Sequence, residues 1–324
     1  MLEVGKLDSE LLKKIVFDRI TYKRDEVKVR AAVGEDCAVI NYGEYDCVVS
    51  TDPITAAIEE IGNLSIHISC NDIASNGVEP IAIMLTVLLP IGTTVEDVDK
   101  IMEQAGKAAA KLQVEIVGGH TEITGAVNKP VIVSTAFGKK TSSQIEKKMS
   151  EGDVIIMTKS AGVEGVGIIA SDFGDRLEGI VTKEEIKMAK GFLEEVSVVR
   201  EGVAAGKIGV RQMHDVTEGG ILGAVWEMCQ VGEMGAEIKK ESILIENVTQ
   251  KICDHFDVNP YRLISSGCML IIAEKEKEKE ILDKMKEIGV GANIIGEIKE
   301  KPYGILMNGE VIEPPKGDEI YKVV

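Results

Sequence analysis

Five polar motifs stand at places where the chain turns between apolar runs. Asp36 lies in Gly34-Glu35-Asp36 before one such run, Asp52 in Ser50-Thr51-Asp52-Pro53 at the end of another, and Asn71-Asp72 inside a stretch suited to a buried helix. Gly118-Gly119-His120-Thr121-Glu122 follows a strand-like run, and Asp215-Val216-Thr217-Glu218-Gly219-Gly220 follows another and opens a helix. One aspartate beside Pro or Gly is ordinary turn chemistry. Five such settings in one chain point to a shared site. Carboxylate oxygens at the strand ends of an α/β sheet suit Mg²⁺, which takes oxygen ligands and pairs with phosphates. The glycines are complementary: Gly118-Gly119 and Gly219-Gly220 can bring backbone N–H groups to an anion, the second pair at a helix N-terminus whose dipole favours phosphate. The sequence has no P-loop, no Gly-x-Gly-x-x-Gly after a strand and no Gly-x-Ser-x-Gly elbow.

Other polar residues leave two readings each. His120 is a base, a phosphate donor, a metal ligand or a structural residue; His214 either orients Asp215 or is simply packed. Lys159 reaches a phosphate or ends a strand at the surface, and Lys28 with Arg30 either closes over a phosphate or is solvated. Cys70, beside Asn71-Asp72, is a small buried hydrophobe or an internal acceptor thiol. His67 reads as packed and His255 as a surface residue.

These residues need a scaffold, and the patterning supplies one. A first helix has Asp8 as its cap and Leu11, Leu12, Ile15 and Val16 on one face. Beyond the charged stretch 23–30, residues 37–41 and 47–51 form a hairpin around Tyr42-Gly43-Glu44-Tyr45. A helix over 59–75 ends at Gly77, which suits a left-handed C′ position. Residues 81–89 are a near-continuous apolar run, the pattern of a strand covered on both faces. Thr94 and Asp97 form a capping box for a helix over 94–112, and strands follow at 114–117 and 131–137. The first half reads β-β-α-β-α-β-β. The polar stretch 139–151 marks the boundary between an N-terminal domain, 1–140, and a C-terminal domain, 148–324. In the latter, strands at 154–158, 209–213, 236–238, 269–273 and 293–298 alternate with helices after the Gly-rich turn that follows 158, at 183–195, 197–205, after 219–220, and at 275–286. The fold class is mixed α+β and α/β.

Composition bounds the partners. The 324 residues hold 54 Asp and Glu against 37 Lys and Arg, a net charge of −17 that argues against nucleic acid or an anionic membrane. An anionic ligand could enter a carboxylate-lined cleft only with divalent metal. The six cysteines show no metal-ligand spacing. With no signal peptide or membrane span in the pattern, a cytoplasmic protein is expected.

Taken in order, these motifs, with Gly152-Asp153-Val154-Ile155-Ile156-Met157-Thr158-Lys159 and Met213-His214-Asp215, resemble the aminoimidazole ribonucleotide (AIR) synthase superfamily. The resemblance spans about residues 5–298 and is greatest to the hydrogenase maturation factor HypE and its relatives. It implies a two-domain fold, an N-terminal domain that dimerises through its sheet and a C-terminal α/β domain, with ATP and Mg²⁺ in the cleft between. Asp72, His120 and Asp215 then become candidate catalytic residues. Asp36, Asp52, Asn71, Gly118, Gly119, Gly219 and Gly220 become cofactor contacts, and Asp36, Asp52, Asp72 and Asp215 metal ligands. The implied reaction is ATP-dependent phosphorylation of a carbonyl or (thio)carboxamide oxygen on a small-molecule or protein-borne substrate, with a maturation protein as possible partner. Two alternatives stand beside it: a non-catalytic nucleotide-binding scaffold, and a small-molecule kinase of the thiamine-phosphate kinase type. Glu218 occupies a position where HypE typically has Arg, Gly-Gly-His is similar to selenophosphate synthetases, and a terminal acceptor thiol is not expected because the last cysteine is Cys268.

Overall fold

Alternating apolar residues build two sheets, and the helices that cover them meet at one seam. The computed structural model describes residues 5, 7, 9–141, 148–315 and 317–324. Asp8, the expected first cap, and residues 142–147 of the expected boundary lie outside the described residues.

The first half holds α1 (Ser9–Ile15), β1 (Val27–Val29), β2 (Ala38–Asn41), β3 (Tyr45–Ile54), α2 (Ile61–Ser75), β4 (Pro80–Pro90), α3 (Val95–Leu112), β5 (Glu115–Thr124) and β6 (Val131–Thr141). Its six-stranded sheet runs β1-β2-β3-β6-β4-β5. The β2–β3 hairpin forms as the pattern requires, and β3 pairs with β6 from Tyr45↔Thr141 to Ile54↔Ile132. The Thr94–Asp97 capping box starts α3, which buries Ile101, Ala105, Ala108 and Ala109 on one face.

Several boundaries differ from expectation. An unforeseen strand, β1, lies within the charged stretch 23–30, and Asp52 sits inside β3 rather than at its end. The run 81–89 is a strand but is not covered on both faces. Ile83, Leu85, Val87 and Leu89 are buried, while Ile81 and Met84 are 52% and 43% exposed, as is Val117 of β5 by more than half. Among the described residues, helices cover one face of this sheet. Strand β5 runs well past residue 117, so Gly118, Gly119 and His120 lie within a strand at the sheet edge.

The second half holds β7 (Val154–Thr158), α4 (Val163–Asp172), α5 (Lys183–Gly191), α6 (Val199–Ile208), β8 (Gln212–Asp215), α7 (Gly220–Gly232), β9 (Gly235–Ile238), α8 (Asn247–Phe256), β10 (Met269–Ala273), α9 (Glu278–Glu287), β11 (Ala292–Lys299), β12 (Ile305–Met307) and β13 (Glu310–Val311). Its sheet runs β13-β12-β9-β11-β7-β10-β8. The sequence pattern missed α8, β12 and β13, and placed β8 too early; Asp215 is the last residue of that strand. The central strands β7 and β10 are buried along their whole length.

The halves meet where α2 packs on α6 and β8. Small residues allow close backbone approach. A Cβ on Gly202 would stand 2.5 Å from the Ala74 carbonyl oxygen, and one on Gly206 2.5 Å from Gly77 Cα. Gly77 itself is left-handed, φ +69°, as its place after α2 requires. The Asn71 side chain joins the seam: its Nδ2 donates to the Val196 carbonyl at 2.8 Å and its Oδ1 accepts from Val198 N–H at 2.8 Å.

Candidate functional site

Three elements from the first half and one from the second bring the aspartates together. Asp36 precedes β2, Asp52 lies on the helix-facing side of β3, Asp72 is on α2, and Asp215 ends β8. Ser50, two residues before Asp52 on the same strand face, organises the first three. Its Oγ lies 2.5 Å from Asp72 Oδ2, 2.9 Å from the Asp36 carbonyl oxygen and 3.4 Å from Asp52 Oδ2. Ser75, one turn along α2 from Asp72, donates to Asp215 Oδ1 at 3.2 Å and accepts from Asp215 N–H.

The cluster is electrostatically strained. Burial, then the carboxylates of Asp215, Asp52 and Asp36, hold the Asp72 carboxyl well above the usual range. Asp215 is fully buried, and among the described residues its Oδ2 has no hydrogen-bond partner. His214 stands beside it. Burial opposes a charge on this imidazole, but Asp36, Asp215 and Glu227 outweigh it and raise its pKa well above the usual value. Atoms of Asp36, His214 and Asp215 that could ligate a metal lie within 4.8 Å of one another. A buried oxygen without a donor, amid converging carboxylates, fits a divalent cation as the missing partner.

Other expected site residues are placed elsewhere. Asp52, Ser134, Leu85 and Gly119 form one row across β3, β6, β4 and β5. Three strand spacings of about 4.8 Å put Gly119 about 14 Å from Asp52. His120 pairs with Thr86, between the buried Leu85 and Val87, so it stands on the sheet face away from α2. There it is exposed, with Nε2 3.0 Å from Glu122 Oε2. Gly118, Gly119 and His120 are therefore not joined to the carboxylate cluster within one chain. Gly119 is explained by packing, because a Cβ there would strike the Leu85 carbonyl oxygen. Asn71 is fully buried with its amide spent on the seam.

The second glycine pair does open α7, but the chain's own carboxylate has taken its anion position. Gly219 N–H donates to Asp318 Oδ2 at 2.8 Å, and Asp318 Oδ1 accepts from Ile320 N–H at 2.8 Å. Burial pushes Asp318 up to about 6 despite these backbone donors. Nearby, Tyr321 Oη donates to Glu218 Oε1 at 2.8 Å. The basic candidates are engaged as well. Lys159 Nζ lies 2.7 Å from Glu201 Oε1 and bonds the Ser197 carbonyl; Lys28 pairs with Asp46 at 3.0 Å; Arg30 bonds the Arg24 carbonyl. Cys70 is the small buried hydrophobe, its thiol pushed up to about 12 by burial, and His67 is packed with its pKa lowered to about 4 for the same reason.

Glu164, Glu227, Ser50 and Asp318 escaped the sequence reading. Glu164, on α4, is fully buried, accepts from Ser266 N–H, and is pushed up to about 7 by burial, with Asp318 and Asp215 adding to it. Only the buried setting of α4 after a glycine turn could have flagged it.

The chain matches the AIR synthase related protein N-terminal domain over residues 34–139 and the corresponding C-terminal domain over residues 150–307. It belongs to the AIR synthase related family. A hydrogenase expression/formation protein of Methanocaldococcus jannaschii is 26% identical, over 98% of this chain and 97% of that protein. A carbamoyl dehydratase HypE of Bradyrhizobium diazoefficiens is 25% identical, over 82% of this chain and 78% of its own. The fold is shared with AaThiL complexed with AMPPCP and TMP, with a TM-score of 0.73 at 19% identity and coverage of 95% and 94%. Both halves of the chain thus have family counterparts, and the carboxylate cluster lies where α2 of the first meets β8 of the second. Among the described residues, no helix is long and apolar enough to cross a membrane.

Proposed function

We propose that this family member is an ATP- and Mg²⁺-dependent enzyme that activates a carbonyl or (thio)carboxamide oxygen by phosphorylation, in hydrogenase or other metallocofactor maturation. One observation carries the reading: Asp36, Asp52, Asp72 and Asp215 converge at the seam, with a buried Asp215 oxygen left unpaired. The names of the relatives, a hydrogenase expression/formation protein and a carbamoyl dehydratase, support the substrate class, and the AMPPCP complex of the shared fold supports ATP.

Asp36, Asp52, Asp72 and Asp215 would hold the cation, which supplies charge neutralisation between these carboxylates and the phosphates of ATP. The chain's own contribution is placement. Ser50 fixes Asp72 and bridges it to the strands of the first sheet; Ser75 fixes Asp215 against α2. Asn71 locks the two halves, so that ligands from both keep their spacing. The proposed phosphate seat at α7 is not ready-made, because Asp318 holds Gly219 N–H. This contact favours a second reading, a nucleotide-binding scaffold. The two separate by turnover. The enzyme forms ADP when given Mg·ATP and a carboxamide or thiocarboxamide acceptor, whereas the scaffold gains thermal stability from Mg·ATP and releases no phosphate.

The uncovered sheet face, with Ile81, Met84 and Val117, supports a homodimer formed through the first half. His120 and Glu122 stand on the outward face of β5, so they would lie at or beside that interface. A Met84→Asp substitution should yield monomers by light scattering; an unchanged mass would remove this face from the proposal.

A further inference from the structure

One of the atoms in the cation cluster is a nitrogen. The His214 side chain is only 5% exposed, and its Nε2 lies 3.1 Å from Glu227 Oε2 on α7. With Nε2–H donated to Glu227, the other ring nitrogen, Nδ1, is the one a dication would take, in place of the proton that the neighbouring carboxylates favour there. That atom faces Asp36 Oδ2 at 3.5 Å and Asp215 Oδ1 at 3.9 Å, and among the described residues it has no partner within hydrogen-bond geometry. An outer carboxylate holding the far imidazole nitrogen, so that the near one points at acidic ligands, is how histidine is oriented toward a metal. Asp215 Oδ2, buried and also without a partner, completes the donor set. Two carboxylates and an imidazole do not suit Mg²⁺, which favours oxygen; they suit the Mn²⁺-to-Zn²⁺ series, where nitrogen raises affinity.

We propose that Asp36, His214 Nδ1 and Asp215 bind a transition-metal dication in preference to Mg²⁺. This deepens the reading of the cleft as a metal site and rests on it: the Mg²⁺ that accompanies ATP would be left to Asp52 and Asp72, and the imidazole-ligated ion would stay with the protein.

Cobalt(II) is the probe, added to the full chain without nucleotide, so that failure of ATP binding does not affect the result. X-ray absorption of the Co²⁺-loaded protein should show imidazole in the coordination shell, and Co²⁺ should bind at least tenfold more tightly than Mg²⁺ competes for the same site. His214→Gln should weaken Co²⁺ at least tenfold and Mg²⁺ by less than threefold. Glu227→Gln, which leaves the ligand in place but loosens its orientation, should weaken Co²⁺ about 10-fold or more. An all-oxygen shell, equal affinity for the two ions, or loss of the imidazole signal in His120→Gln instead would overturn the proposal. If His214→Gln does not fold, the spectrum of the unsubstituted protein still decides.

Discussion

Two buried acidic sites lie close together along the chain and are resolved in opposite ways. At the seam, Asp215 keeps an oxygen without a partner, and Asp72 is crowded by three other carboxylates. At the start of α7, four residues on, Gly219 N–H is satisfied by Asp318, whose other oxygen accepts from Ile320 N–H. A fold that merely needed stability would leave neither site as the seam is, since an unpaired buried polar atom costs about 1–3 kcal/mol. The contrast shows where the fold leaves room for an external ligand: the seam has a buried carboxylate oxygen without a partner among the described residues, which is what the proposed cation would pair, whereas the helix start is paired by the chain's own carboxylate.

The comparison can be tested by substitution. The largest effect is expected from Asn71→Ala, which strips the Val196 carbonyl and the Val198 N–H of buried partners and should destabilise the protein by about 2–4 kcal/mol. Urea unfolding would show it, and a loss under 1 kcal/mol would mean that the seam does not depend on this amide. Next is the pH dependence at α7. Asp318, about 6 in the fold against a reference of 3.8, favours the folded state while protonated; that contribution is complete below about 4 and lost as pH rises through 6. Asp318→Asn should therefore gain on the unsubstituted protein by on the order of 2–3 kcal/mol between pH 4 and pH 7. A difference that is flat with pH would contradict the buried carboxylate.

Asp72→Asn keeps an acceptor for Ser50 but removes one charge from the crowd. We expect the ligand-free protein to be stabilised by about 1 kcal/mol, and the rise in Tm produced by Mg·ATP to shrink. If both stability and the ligand response stay unchanged, Asp72 does not belong to the charge cluster. The smallest effect is expected at the tail. Tyr321→Phe removes the bond to Glu218 and should cost about 0.5–1.5 kcal/mol, read as faster proteolysis of residues 317–324 with little change in global unfolding.

Much of the scaffold was legible because its signals are local. Thr94 and Asp97 form the expected capping box, Gly77 takes the expected left-handed turn, and the limits of β7 and β10 match their apolar runs. Strand β1 was hidden by its charged neighbours, and α8, with polar residues at six of its ten positions, offered a weak pattern. The site was partly legible. The motifs of Asp36, Asp52, Asp72 and Asp215 could be selected as a set, yet nothing in Gly118-Gly119-His120 tells whether a strand ends before it or runs through it.

The sequence by itself determined which oxygens are available and the local periods that build strands and helices, because caps, turns and amphipathic faces depend on residues a few positions apart. Only the tertiary structure decided which groups are paired. Ser50 with Asp72, His214 with Glu227 and Asp36, and Gly219 with Asp318 join residues separated by 13 to 178 positions. In a buried environment the cost of a charge depends on such partners and on exclusion of water. Sequence thus supplied an excess of carboxylates; folding buried one of them, Asp215, with an oxygen that nothing among the described residues pairs.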